Sequence, residues 1–187
     1  MAEKRKNWNG LISGFRASDL VFLDESGYNT DMTRRYAYSL GGSRAVDSAP
    51  LSKPKNTTIL SSIQLDGTLH YTTFSGGTTV ERFKQYLKTD LLPHLNGDSV
   101  LVMDNMKSHH AKAVKNLLDS SGVRYVYLPP YSPDLNPIEK LWSKVKSLLR
   151  KFKARTLDAL PNAIQNAFHS VTVSDCSGWF RFCGYVL

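Results

Sequence analysis

The chain has 187 residues, 41% of them hydrophobic, which suits one domain with a real core. Its 24 lysines and arginines outnumber 16 acids for a net charge of +8, which favours a polyanionic partner such as nucleic acid, with a soluble basic protein lacking such a partner as the alternative. Its apolar runs are too short to span a membrane, the start MAEKRKNWNG lacks the apolar core of a signal peptide, and two cysteines, Cys176 and Cys183, make neither a disulfide framework nor a zinc site, so a reduced, cytoplasmic protein is expected.

Residues 1–18 are polar and basic and read as a lead-in to a domain over 19–170. DLVFLDESG predicts a short strand, with Leu20 to Leu23 apolar and Asp24 at its end. RRYAYSLGG reads as a second strand, and 43–56 as a basic loop. TTILSSIQLDGTLHYTTF predicts a hairpin turning at Asp66-Gly67. Thr78 and Glu81 fit a capping box for a helix whose Val80, Phe83, Leu87 and Leu91 recur at helical spacing until Pro93. SVLVMDN is another apolar strand closing on an acid, Asp104. A helix over about 108–120 ending near Gly122, a strand VRYVYLP, a helix from Pro137 to about Phe152 and another over about 156–170 follow, with 171–187 as a tail. Strands first and alternating elements later predict a mixed sheet with helices on its faces, an α/β fold.

Three acids stand out. Asp24 and Asp104 both terminate apolar strands, where ligands gather in α/β sheets; both also suit plain turn starts. Glu25 competes with Asp24, but neighbours on a strand face opposite ways, so one of the two at most enters a given site. Glu139 follows PPYSPDLNP, with four prolines in nine residues, and stands third in its helix after Asn136 as N-cap and Pro137. That is the capping-box position, where an acid also suits the helix dipole. Yet Ile138, Leu141, Trp142, Val145, Leu148, Leu149 and Phe152 form one apolar stripe, and Glu139 lies at its edge with no cation at plus three or plus four. Three carboxylates on separate elements of a basic protein suit magnesium or manganese, and two such ions can serve an in-line phosphoryl displacement.

Thirty-four residues lie between Asp104, in DNMKSHH, and Glu139, in YLPPYSPDLNPIEKLWSKVK. Together these motifs resemble the catalytic domain of mariner-superfamily DDE transposases, and most nearly the bacterial insertion-sequence branch, over about 19–152; the ending GWFRFCGY is similar to that branch too. The resemblance implies a ribonuclease H-like fold and two Mg²⁺ ions, replaceable by Mn²⁺, held by Asp24, Asp104 and Glu139. It implies cleavage of DNA at an element's ends and transfer of the freed 3′-hydroxyl into target DNA, typically at TA, by a homodimer at the nucleoid of a prokaryote. His109, five residues after Asp104, then positions the site or contacts DNA, with a capping or surface role as the competing reading. Asn105 orients the metal ligands or simply makes a turn. Lys140, Lys144, Lys146, Arg150 and Lys151, with Lys153 and Arg155, would hold phosphates collectively, whereas each alone is an ordinary solvated charge. Trp142 is read as core more than as a base-stacking platform. Helix-turn-helix modules precede such domains in the family, and 1–18 is too short for one, so the resemblance leaves open a separately encoded recognition portion or a truncated copy, with a non-catalytic DNA-binding or assembly remnant as the alternative function.

Overall fold

The computed structural model describes residues 2–33, 36–48 and 56–185. In chain order the elements are α1 (Ala2–Ile12), β1 (Leu20–Tyr28), β2 (Thr57–Ile63), β3 (Leu69–Ser75), α2 (Val80–Tyr86), β4 (Val100–Met103), α3 (Lys112–Ser121), β5 (Arg124–Tyr127), α4 (Ile138–Phe152), α5 (Leu160–His169) and α6 (Val173–Phe182). The strands form one mixed sheet in the order β3-β2-β1-β4-β5. β1 pairs antiparallel with β2 and parallel with β4, and β4 pairs parallel with β5.

Apolar residues without polar alternation suit strands covered on both faces, and β1 and β4 occupy the middle of the sheet. Leu20, Phe22, Val100 and Val102 face a layer built from α4, α5, α6 and Trp8 of α1, while Val21, Leu23, Leu101 and Met103 face α2 and α3. The β2–β3 hairpin forms as the Asp66-Gly67 signal predicts: Gly67 adopts φ +90 and its N–H donates to the Gln64 carbonyl. Helix α2 begins one residue later than expected, capped by Thr79 rather than Thr78, and runs on through a widened turn at Leu87–Leu91 to the turn containing Pro93. Helix α3 starts at Lys112 and ends where Gly122 turns left-handed.

The largest departures are at the ends. The lead-in contains α1, which buries Trp8 against the core. The expected tail is α6, opened by a reciprocal capping box between Thr172 and Asp175 and packed through Cys176 and Phe180. Its wheel is interrupted by Ser177 and Gly178, so its apolar periodicity is weak in the sequence. Of the expected strand RRYAYSLGG, residues 36–42 form no strand, with Tyr36 and Tyr38 fully exposed, and Arg34 and Arg35 lie outside the described residues. Of the 43–56 loop, 43–48 and 56 are irregular as expected, and 49–55 lie outside the described residues.

The strand β1 does not stop at Asp24. It pairs with β4 only from Leu20 to Leu23, but its pairing with β2 continues to Tyr28. Beyond Leu23 and Met103 the sheet therefore opens on one side of β1, and that gap receives the acids. The central strand pair carries the core: truncating fully buried Leu101 in Leu101→Ala should lower unfolding free energy by about 3 kcal/mol, read as a lower midpoint in urea at an unchanged slope.

Candidate active site

Register decides the first contact. Leu23 pairs with Met103, so Asp24, still within β1, and Asp104, just past the end of β4, follow that pair side by side. Asp24, Asp104 and Glu139 line one cavity of about 540 Å³, together with Glu25, Asn105, Met106 and the connector from Leu128 to Asn136. Among the described residues no three histidine, cysteine or acidic side chains converge into a ready metal cage, so the acids share a cavity without closing on a point.

Asp24 is buried. Its Oδ1 accepts the Glu25 backbone N–H at 2.8 Å and its Oδ2 accepts the Trp142 indole N–H at 3.1 Å. Burial, reinforced by the charges of Asp104 and Glu139, still pushes its carboxyl up to about 7. Trp142 is the functional contact that the sequence understated: a buried indole N–H needs an acceptor, and this tryptophan lies one turn after Glu139.

Asp104 behaves in the opposite way. Burial raises it, but hydrogen bonds from His109 and from the Met106 backbone outweigh that and hold it below the usual carboxylate range. His109 is completely buried, stacked on Phe83, with Nδ1 2.8 Å from Asp104 Oδ1 and Nε2 3.4 Å from Glu25 Oε2. Burial alone would lower its pKa, but its contacts with the two carboxylates raise it to about 9. The surface reading of His109 is thus excluded. Glu25, on the opposite face of β1 from Asp24, faces this imidazole while also bordering the cavity.

The connector is tied at several points. Asn105 donates its amide to the Leu128 carbonyl, and Leu128 N–H donates to Met103. Asn105 therefore joins the Asp104 turn to the start of the proline-rich run. Tyr131 within that run has φ +57, uncommon for a bulky residue, and is 86% exposed at the cavity wall. Helix α4 then begins one residue later than expected: Pro137 stands at its cap, and the Asn136 side chain makes no cap bond, its Oδ1 being buried without a partner. Ile138, Leu141, Trp142, Val145 and Leu149 seat α4 on the sheet, which leaves Glu139 exposed in the first turn.

The basic side chains diverge. Lys144 bonds the Ser170 carbonyl and Asp175, joining α4 to the start of α6. Lys140 lies 3.7 Å from the Phe182 ring centre and Lys146 5.6 Å from that of Tyr28. Lys153 pairs with Asp47, and Arg155 donates to the carbonyls of Thr30, Met32 and Ser48. Lys151 is exposed, and Arg150 is half-buried.

The donor chemistry fits a divalent cation: three hard carboxylate groups, one of them carrying a charge that the protein only partly compensates. Removing the buried imidazole in His109→Ala should leave Glu25 and Asp104 facing each other and cost about 3 kcal/mol of stability in chemical denaturation; an unchanged midpoint would contradict this ion-paired packing.

Residues 19–161, most of the chain, match the DDE superfamily endonuclease family. The Tc1 transposase of Caenorhabditis elegans is 29% identical over 92 residues, covering 49% of this chain and 34% of that protein. The Mos1 transposase in a paired-end complex with the left transposon end superposes at a TM-score of 0.80 with 21% identity, over 96% of this chain and 57% of that one. The Mos1 transposase catalytic domain with raltegravir and Mg gives 0.72 at 18% identity, over 96% and 87%. This chain spans about a third of the curated relative and a little over half of the longer Mos1 chain. The structural likeness establishes the α/β, ribonuclease H-like fold, and the match along the sequence establishes that the chain belongs to the DDE superfamily endonucleases.

Proposed function

We propose that this chain is the catalytic portion of a transposase, cutting DNA at the ends of a mobile element and joining the freed 3′-hydroxyl to target DNA. The observation that carries the reading is the meeting of Asp24, Asp104 and Glu139 from three separate segments in one cavity. Similar proteins have been solved with transposon-end DNA and with Mg or Mn, which supports both DNA and a divalent cation as ligands.

Asp24, Asp104 and Glu139 would hold the metal. A bound pair of Mg²⁺ or Mn²⁺ ions supplies stabilisation of the attacking and leaving oxygens in phosphoryl transfer. The protein's own residues prepare for this. His109 keeps Asp104 ionised and aimed, Trp142 orients one Asp24 oxygen, and Asn105 ties the Asp104 turn to the connector. In the first reaction water attacks phosphorus and the bond to the 3′-oxygen breaks. In the second, that 3′-oxygen attacks a target phosphate, and the target strand's 3′-hydroxyl leaves. Neither step needs a covalent enzyme intermediate.

The finer parts of the proposal are a bacterial insertion-sequence origin, action at the nucleoid, a TA target and a homodimeric complex. They rest on the DNMKSHH and PPYSPDLNPIE motifs. Of the basic side chains, exposed Lys151, with Arg150, is the best placed for phosphate, whereas Lys144 is already neutralised by Asp175.

With Mn²⁺ or Mg²⁺ and DNA carrying the element's ends, Asp104→Asn should lose nicking by a factor on the order of a hundred or more. Wild-type cleavage by that variant would sink the assignment. Joining of a pre-cut 3′-hydroxyl end separates a transposase from a general nuclease, and DNA binding indifferent to metal without any cleavage would favour a non-catalytic module. Lys151→Ala should reduce the salt dependence of DNA binding by about one unit of log–log slope, while Lys144→Ala leaves that slope unchanged.

A further inference from the structure

The closing sequence GWFRFCGY is unused by the chemistry above, yet its last aromatic reaches the site's framework. Helix α6 ends at Phe182, and Gly184 adopts φ +87. The Gly184 N–H donates to the Arg181 carbonyl and the Tyr185 N–H to the Phe180 carbonyl, the paired bonds of a Schellman motif. A left-handed glycine at this point reverses the chain, so Tyr185 folds back beneath α6 instead of trailing into solvent. Its ring packs 5.0 Å from Phe22 and 6.1 Å from Phe180, centre to centre, and is 5% exposed.

Two partners of Tyr185 matter for the cavity. Phe22 precedes Asp24 by two residues on the same face of β1. At the other end the Tyr185 hydroxyl donates to the Leu135 carbonyl at 2.6 Å, four residues before Glu139, inside the proline-rich connector. Burial raises this phenol far above its usual pKa, so the donated proton stays in place. Arg5 of α1 pairs with Asp134 next door, a second external tie on the same turn. We propose that Tyr185 is a positioning residue: by spanning from β1 to the connector, it sets where the first turn of α4 presents Glu139 relative to Asp24. This rests on the reading of those acids as a metal-binding set.

The test uses the full chain and two matched variants. Tyr185→Phe deletes only the hydroxyl, and Tyr86→Phe deletes an equally buried hydroxyl that bonds Ser62 and His70 far from the connector. Amide exchange without metal should speed up about fivefold at Leu135, Asn136, Glu139 and Lys140 in Tyr185→Phe, the scale of one net hydrogen bond, and remain unchanged there in Tyr86→Phe. Mn²⁺ affinity, read by electron paramagnetic resonance, should fall by a similar factor, about fivefold, in the first variant only. Unchanged exchange in the connector, or acceleration spread equally over β2 and β3, overturns the proposal. So does unaltered Mn²⁺ affinity in Tyr185→Phe when the wild type binds the ion. Should the wild type show no Mn²⁺ affinity, the metal-site reading falls, and the exchange data still decide whether Tyr185 holds the connector. If Tyr185→Phe does not fold, denaturant-dependent exchange of the wild type serves: the amides of Tyr185, Leu135 and Asn136 should open as one unit, and independent opening overturns the idea.

Discussion

The structure depends on keeping negative charge at a place where a folded chain resists it. Where β4 ends and β1 continues, Asp24 and Asp104 emerge side by side, and α4 adds Glu139 to the same cavity. Desolvation and mutual repulsion lift Asp24 to about 7, which means the fold disfavours its ionised form. Such an arrangement persists only if the surrounding scaffold over-determines it. The fully buried strand β4 and the buried Leu20–Leu23 stretch of β1, a helix seated by five buried side chains and an indole N–H aimed at Asp24 provide that determination. A divalent cation would remove the repulsion that these features withstand.

The two aspartates show how neighbouring positions acquire different properties. Both are acids at matching positions on adjacent strands, yet Asp104 is held ionised and Asp24 is pushed toward neutrality. The difference lies in the partners. Asp104 meets a buried imidazole that Glu25 contacts from its other side, whereas Asp24 receives only neutral donors. Glu25 and Asp24 work on opposite faces of β1, one through His109 and one directly into the cavity. The connector before α4 is constrained in a similar way, by Asn105 at Leu128, Tyr185 at Leu135 and Arg5 at Asp134. Stiff prolines define the local path, and these three ties fasten it to the rest of the fold.

Local patterns carried much of this into the sequence. Apolar runs ending in acids marked β1 and β4, because a doubly covered strand cannot alternate. The stripe from Ile138 to Leu149 marked α4 and placed Glu139 at its edge, because helical spacing determines which face is buried. Other features left weak traces. Helix α6 has Ser177 and Gly178 in its middle, and its capping pair Thr172 and Asp175 could pass for loop residues. The basic side chains of α4 and its exit read as one collective phosphate-binding group, but Lys144 of α4 and, past its end, Lys153 and Arg155 are taken up by intramolecular partners remote in sequence.

By itself the sequence determined β1, the run of elements from β2 to α5, the two aspartates that close apolar strand runs and the helix-borne glutamate, since periodicity and turn chemistry are local; α1 and α6 were not legible in it. Only the tertiary structure decided that Asp24 lies within a strand rather than at its end, since strand length depends on pairing with β2. It alone revealed Trp142 as a partner of Asp24 and Glu25 as a partner of His109, because those contacts join segments that no spacing rule relates. The opposite shifts of Asp24 and Asp104 were settled at the same level, by burial, by hydrogen bonds and by the charges that folding brings near.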